Sequence, residues 1–352
     1  MKHLLTIILI FITLNADDTN STNEYSYIDE YHKIISKKVL QSSAYLDTTL
    51  SSYLSDDTNL TDNNSTKDEI LESDVSSVDQ FFQSDKFLDE TEKAFVRVRL
   101  DYTMQSKEDE EFNLNFSAQI PLSKSKKKAR SKFNIFISDL TEDNAKEIGH
   151  DGTESGKKAP EIGVNYFAPE TYGIIQKYSI GIRGIYPFVK ARYSKAINVG
   201  DWMVEPTQDF KYSAKNDFEE NTKIYFDTKP TDLTLFRFQL TRGTKSRQDG
   251  MDYSIGASYF WSPFPKAGIS VSQVLSGNTE YKYVIDEHTN PIKESEKFAG
   301  ISNYSSSLSW RHNVWKKWFY YELRPGVNFA RNYNYEANYT IRVYLDFFFG
   351  NI

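Results

Sequence analysis

The stretch Tyr339-Thr340-Ile341-Arg342-Val343-Tyr344-Leu345-Asp346-Phe347-Phe348-Phe349 alternates almost without error. In an extended chain Tyr339, Ile341, Val343, Leu345, Phe347 and Phe349 fall on one face, and Thr340, Arg342, Tyr344, Asp346 and Phe348 on the other. An ionised Arg and Asp therefore share a face whose reverse is continuously apolar. The economical solution is a strand with lipid against its apolar side and a wet lumen against the other.

The same period of two runs back through most of the chain. Val96, Val98, Leu100 and Tyr102 alternate with Arg97, Arg99 and Asp101, and Phe112, Leu114, Phe116, Ala118 and Ile120 with Asn113, Asn115, Ser117 and Gln119. Further candidate strands are 132-140, 161-168, 174-184, 186-196, 201-214, 218-228, 233-242, 251-262, 266-277, 298-312, 317-330 and 336-349. Most match the roughly 9 to 11 residues that a tilted spanning strand needs. The pattern predicts an all-β fold, a transmembrane antiparallel β-barrel of about 12-14 strands, fourteen being the direct count. With strands alternating up and down, the long connections 141-160 and 278-297 share one side, and 197-200, 229-232 and 313-316 are short turns on the other.

Three regions follow. Residues 1-16 carry Lys2, an apolar run from Leu4 to Leu14 and then Asn15-Ala16, the layout of a cleaved secretory signal too short to span a bilayer as a helix. Residues 17-93 hold 18 acidic and 6 basic side chains, whereas 94-352, the expected barrel, hold 31 and 35. Within the acidic part, Ile28, Tyr31, Ile35, Val39, Leu46 and Leu50 recur at helical spacing and predict a helix over about 26-54. Residues 55-79 are too polar to bury a core and read as a flexible linker. A second amphipathic piece from Val78 to Leu88 is expected to lead into the barrel wall, so the fold includes a short N-terminal α-helical extension.

Composition agrees with export and a barrel. Zero cysteines exclude disulfides, thiolate catalysis and thiolate metal sites. A mean hydropathy of -0.59 is low for a membrane protein, but lumen and lipid positions cancel in an alternating strand. The 24 Tyr and 24 Phe suit rings half in lipid and half among headgroups.

The export signal, the absent Cys, the tandem alternating strands and the terminal Phe347-x-Phe349 together resemble Gram-negative outer-membrane β-barrels of porin-like architecture. The resemblance covers 94-352. It departs from the usual terminal signal in having Gly350-Asn351-Ile352 after Phe349 and Tyr344 where Gly is common. It implies an outer-membrane location with the N-terminal extension in the periplasm, outer-membrane lipid as surroundings and the barrel-assembly machinery as a partner. No specific family is identified by it.

Lumen-lining candidates follow from strand parity: Arg97, Arg99, Asp101, Arg183, Lys190, Arg192, Glu205, Asp209, Arg237, Glu322, Arg324, Arg342 and Asp346, with Lys211, Glu219 and Lys223 on the same faces. Such residues can line a selective passage, or fill a closed interior with compensating ion pairs. The expected function is a passive channel for small hydrophilic solutes or a structural membrane component. A surface-exposed interaction protein with a closed lumen is the alternative, using loops 141-160 and 278-297, and a lipid-modifying enzyme is the third. The chain lacks the His-x-Ser arrangement that such enzymes place on one strand face, His312 being followed by Asn313 and Val314, so no catalytic residue is assigned. A dispersed triad of Ser306, His312 and an acid remains the enzymatic option.

Asn20, Asn59 and Asn64 each have an acidic residue two before and a hydroxyl residue two after, a pattern used by some bacterial glycosylation systems and also generated by chance in Asp/Asn/Ser/Thr-rich sequence. The basic turn Lys124, Lys126, Lys127, Lys128, Arg130 and Lys132 has no interleaved aromatics, which argues against nucleic acid; it either solvates a turn or attracts the acidic 17-93 segment. Glu108 to Glu111 read as a solvated acidic loop. No spacing supports a metal or cofactor.

Overall fold

The structure, a computed structural model, describes residues 27-54, 76-82, 84, 86-87, 95-122, 132-138, 160-246, 249-281, 284-286, 293-294, 298-313, 316 and 318-350. The signal region 1-16 and the candidate sequons at Asn20, Asn59 and Asn64 lie outside them. So do linker residues 55-75 and basic turn residues 124-130.

Two helices, α1 (Tyr27–Leu54) and α2 (Ser76–Phe82), precede the strands β1 (Phe95–Gln105), β2 (Glu111–Leu122), β3 (Lys132–Ser138), β4 (Glu161–Thr171), β5 (Ile174–Arg183), β6 (Tyr186–Ser194), β7 (Ile197–Val199), β8 (Trp202–Ser213), β9 (Asp217–Thr228), β10 (Thr234–Lys245), β11 (Asp252–Phe264) and β12 (Ala267–Tyr281). A small hairpin of β13 (Val284–Asp286) and β14 (Lys293–Glu294) interrupts the next long connection. Then come β15 (Phe298–His312), β16 (Phe319–Ala330) and β17 (Ala337–Gly350).

Each barrel strand pairs antiparallel with its sequence neighbours, and β1 pairs with both β2 and β17, which closes the ring. The sheet has fifteen strands, but β6 and β7 both pair with β8 and form one interrupted stave, so the barrel has fourteen. Closure is what allows the fold to sit in lipid, since an open sheet would leave a row of backbone groups unpaired where no water can reach them.

Faces segregate as the alternation requires. In β17 the inward Tyr344, Asp346 and Phe348 are 0–1 % exposed, while outward Tyr339 is 67 % and Ile341 41 % exposed. Outward faces of β1, β2 and β3 carry only apolar and aromatic side chains among those described, Val96, Leu100, Phe112, Leu114 and Ile135 among them. Away from the strand ends, the charged outward side chains among the described residues are Glu220 and Arg242, which pair at 3.1 Å. Both lie three residues from the ends of their strands. A charge near the interface costs about 0–1 kcal/mol against about 2–4 at the midplane, so this pair is tolerated.

The two ends differ. The end holding Phe95 and Gly350 has tight connections such as Tyr172-Gly173, where positive φ of 55° and 74° gives the two-residue turn that matches strand twist. The opposite end carries the long connections 139-160 and 282-297. Trp202, Trp261, Trp310 and Trp318 cluster at the first end, and Tyr212, Tyr335 and Tyr339 at the second, an arrangement of interfacial rings at both edges of an apolar band.

On the inward face Gly163 and Gly181 oppose each other in register. A side chain on Gly163 would stand 3.0 Å from the Phe136 ring, and one on Gly181 3.0 Å from the Phe188 ring. Those two rings lie over bare backbone and cover it.

Helix α1 contacts β17 and β2, the two strands that flank β1. His32 Nε2 stands 2.8 Å from the Phe348 carbonyl oxygen, and the imidazole stacks on Trp318 at 4.3 Å and near Phe349 at 5.1 Å. Asp29 pairs with Lys316 at 2.7 Å. Helix α2 precedes the first stave in sequence, and residues 88-94 that join them lie outside the described residues. It turns into the mouth of the ring, because Val78, Phe81 and Phe82 find apolar partners there.

Candidate functional site

The site is the lumen. All thirteen lumen candidates lie on inward faces. Arg97, Arg99, Lys190, Arg192, Glu205, Asp209, Arg237, Glu322 and Asp346 are buried there, and Asp101, Arg183, Arg324 and Arg342 are half-buried. What the structure adds is how they pair.

One group surrounds Asp346. Its carboxylate accepts from Arg97 (Nε 2.9 Å, Nη2 3.1 Å), Arg99 (Nε 2.7 Å, Nη2 3.0 Å) and Arg311 (Nη1 2.7 Å). Glu322 accepts from Arg311, Arg324 and Ser309. Aromatic faces complete the cluster, with Arg99 and Arg324 over Tyr344 at 4.5 and 4.9 Å and Arg311 over Tyr320 at 4.5 Å. Guanidinium is weakly hydrated and stacks well, which suits it to a packed interior better than ammonium. Four cations against two acids leave this sector basic.

A second group lies on β4, β5, β6 and β8. Asp209 accepts from Arg192 (2.7 and 3.1 Å) and stands 3.5 Å from Lys190, and Glu161 pairs with Lys211 (2.6 Å) and with Arg183.

The third group brings α2 to the wall. Arg237 donates to Asp79 (Nη2–Oδ2 2.9 Å, Nη1–Oδ1 3.2 Å) and to Asp227 (Nε–Oδ1 2.8 Å, Nη2–Oδ2 2.9 Å). Lys86 pairs with Glu205 at 2.7 Å and Asp227 at 3.1 Å. Val78 and Phe82 pack with Leu235, Phe81 and Phe260, and Arg311 Nε donates to the Phe81 carbonyl at 3.1 Å. This short segment reaches β8, β9, β10, β11, β12, β15 and β16, half the ring, so it sits within the mouth at the end holding Phe95 and Gly350.

Towards the other end the interior opens. A cavity of about 120 Å³ is lined by Arg183, Lys190, Lys211 and Lys245 together with Asp209, Glu219, Glu220 and Asp252, and by Ser254, Ser276 and Ser302. That volume has room for several waters, since one water needs only ~10–15 Å³ by this measure. The wall from β11 to β15 is largely uncharged, with Ser258 and Ser272 bonded at 2.8 Å and Ser276 and Ser302 at 3.4 Å.

Parity alone would have found Asp227, which follows Lys223 and Tyr225 on one face, and Glu161 and Arg311 likewise. Asp79 and Lys86 carry no such signal, because they come from outside the strands. The enzymatic option gains no geometry: Ser306 and His312 share the outward face of β15 six residues, about 20 Å, apart. His312 Nδ1 is instead 3.2 Å from the Tyr321 hydroxyl. The acidic loop is tied to its surroundings, Glu108 accepting from Tyr333 in the 331-336 turn and Glu110 from Tyr102 on β1, and no metal-binding cluster occurs among the described residues. Lys107 bonds Glu336 at 2.5 Å across the same rim and holds its carboxyl below the ordinary range.

No family model matches the chain, and no curated protein matches it. Solved structures are similar in shape. A loop-deletion form of OmpT, an outer membrane protein of Vibrio cholerae, is 10% identical over 73% of this chain and 98% of its own, with a TM-score of 0.44. An anion-selective porin from Comamonas acidovorans is 8% identical over 73% and 98%, also at 0.44. OccK10 (OpdN) of Pseudomonas aeruginosa is 8% identical over 73% and 98%, at 0.43. Likeness at these scores carries nothing about cargo; the chain's own geometry makes it a closed porin-like β-barrel.

Proposed function

We propose that this chain is an outer-membrane channel of porin-like kind for small hydrophilic solutes, with its N-terminal helices on the periplasmic side. The carrying observation is the partition of a closed fourteen-stave ring into an apolar outside and a charged, hydroxyl-rich inside. The orientation rests on the short turns and tryptophans at the end holding Phe95 and Gly350, and insertion by the barrel-assembly machinery goes with it. The basic sectors favour anions, while the paired acids blunt the field, so selectivity is modest. A second reading, a structural component with a closed lumen, draws on the dense packing around Asp346 and α2.

Fractionation and planar-bilayer recording test the proposal. The mature chain belongs with the outer membrane, and unboiled protein in SDS should migrate apart from boiled protein. Recovery in the soluble periplasm would overturn the membrane reading. A refolded barrel without channel steps, with or without residues 17-93, would favour the closed component.

A further inference from the structure

We infer that α2, with Ser84 and Lys86, is a releasable plug that gates the channel at its periplasmic mouth; this rests on the channel reading above. Asp79 and Lys86 are 5 % and 6 % exposed although they belong to no strand, so the wall has received two charges from a separate segment.

The pairing is arranged so that departure strands no charge in a dry place. Arg237 serves two carboxylates, Asp79 of the plug and Asp227 of the neighbouring strand, and Asp227 serves Arg237 and Lys86. When the plug leaves, Arg237 and Asp227 keep their own two contacts of 2.8 and 2.9 Å. Asp79 keeps Ser84, whose hydroxyl donates to it at 2.6 Å, and Lys86 and Glu205 are left facing water. Removing one partner of a buried pair is costly when the other stays dry and alone, and here that condition is avoided on both sides.

The wall also makes room for the plug. Gly268 faces Phe82 and Phe81, and a Cβ there would stand 2.6 Å from Phe82 Cζ and 2.8 Å from Phe81 Cε1. Any side chain at 268 would occupy the plug's seat.

The test uses the full chain, Asp79→Asn/Lys86→Gln, Gly268→Leu, and a chain lacking 76-87. Single-channel recording is paired with labelling of Val78→Cys by a membrane-impermeant maleimide, which is clean because the chain has no cysteine. Val78 is 3 % exposed when the plug is seated. Losing charged hydrogen bonds should raise both open time and labelling rate roughly tenfold or more. Conductance and labelling that do not change between the full chain and the latch variants would overturn the gate. If even the chain lacking 76-87 is silent, the channel reading falls; the labelling then decides on the plug itself, faster labelling in the latch variants upholding a releasable plug and unchanged labelling refuting it.

Discussion

Arg99 and Asp346, 247 residues apart in the chain, face each other in register across the seam where the first and last staves meet, with Nε 2.7 Å from Oδ1. Arg97 and Arg311 converge on the same carboxylate. One acid thus serves three guanidinium groups within a packed, aromatic-lined sector.

Asp346→Asn should therefore be among the most damaging single changes in the barrel. It leaves buried cations without their counter-charge, for which about 3–5 kcal/mol is the usual cost. Denaturant unfolding of the refolded barrel measures it, and a loss below ~1 kcal/mol would mean that water already solvates the cluster.

Adjacent positions on β17 should differ by face. Val343→Arg places a cation in lipid and costs about 2–4 kcal/mol near the midplane. Arg342→Gln, half-buried on the inward face, should fold nearly as the parent does. Equal effects of the two on thermal stability in bilayers would contradict the assigned faces.

Selectivity can be altered without orphaning an acid. Without Arg183, Glu161 retains Lys211 at 2.6 Å, and without Lys190, Asp209 retains Arg192 at 2.7 Å. The double variant Arg183→Gln/Lys190→Gln should lower anion preference in reversal-potential measurements while heat-modifiable migration stays intact. An unchanged reversal potential would remove this sector from the conduction path.

Gly181→Val tests the covered backbone between β4 and β5. The added side chain meets the Ile162 carbonyl oxygen before it reaches the Phe188 ring at 3.0 Å, so both strand backbone and ring must give, and overpacking of this kind costs about 1–3 kcal/mol. A neutral result would show that the β4–β5 backbone, as well as the ring, can shift freely.

The strands were legible because a barrel strand shows one face to lipid and the other to a wet interior. β15 matches the expected 298-312 at both ends. β12 runs to Tyr281 rather than 277, because at the rim both faces are polar and the alternation loses contrast. Inward charges were legible for the same reason. The plug was not: Val78, Phe81 and Phe82 read as an amphipathic segment whose destination depends on Leu235 and Phe260, more than 150 residues away in sequence. Docking of the acidic N-terminal region is expected at the basic turn 124-132, of which only Lys132 is among the described residues. The described ion pairs between this region and the barrel include Asp29–Lys316, Asp79–Arg237 and Lys86–Glu205.

The seam also bears on how the molecule assembles. Bringing together segments about 250 residues apart costs roughly 3 kcal/mol more in chain entropy than closing a hairpin of a dozen residues. The last stave should therefore meet the first late, and until then both are bare edges able to recruit another chain. Inward charges on an edge strand are a known guard against such pairing. Arg97, Arg99 and Asp346 make each edge inhospitable to an apolar stranger and welcoming to the other, so that the groups sealing the finished ring also protect the unfinished one from aggregation.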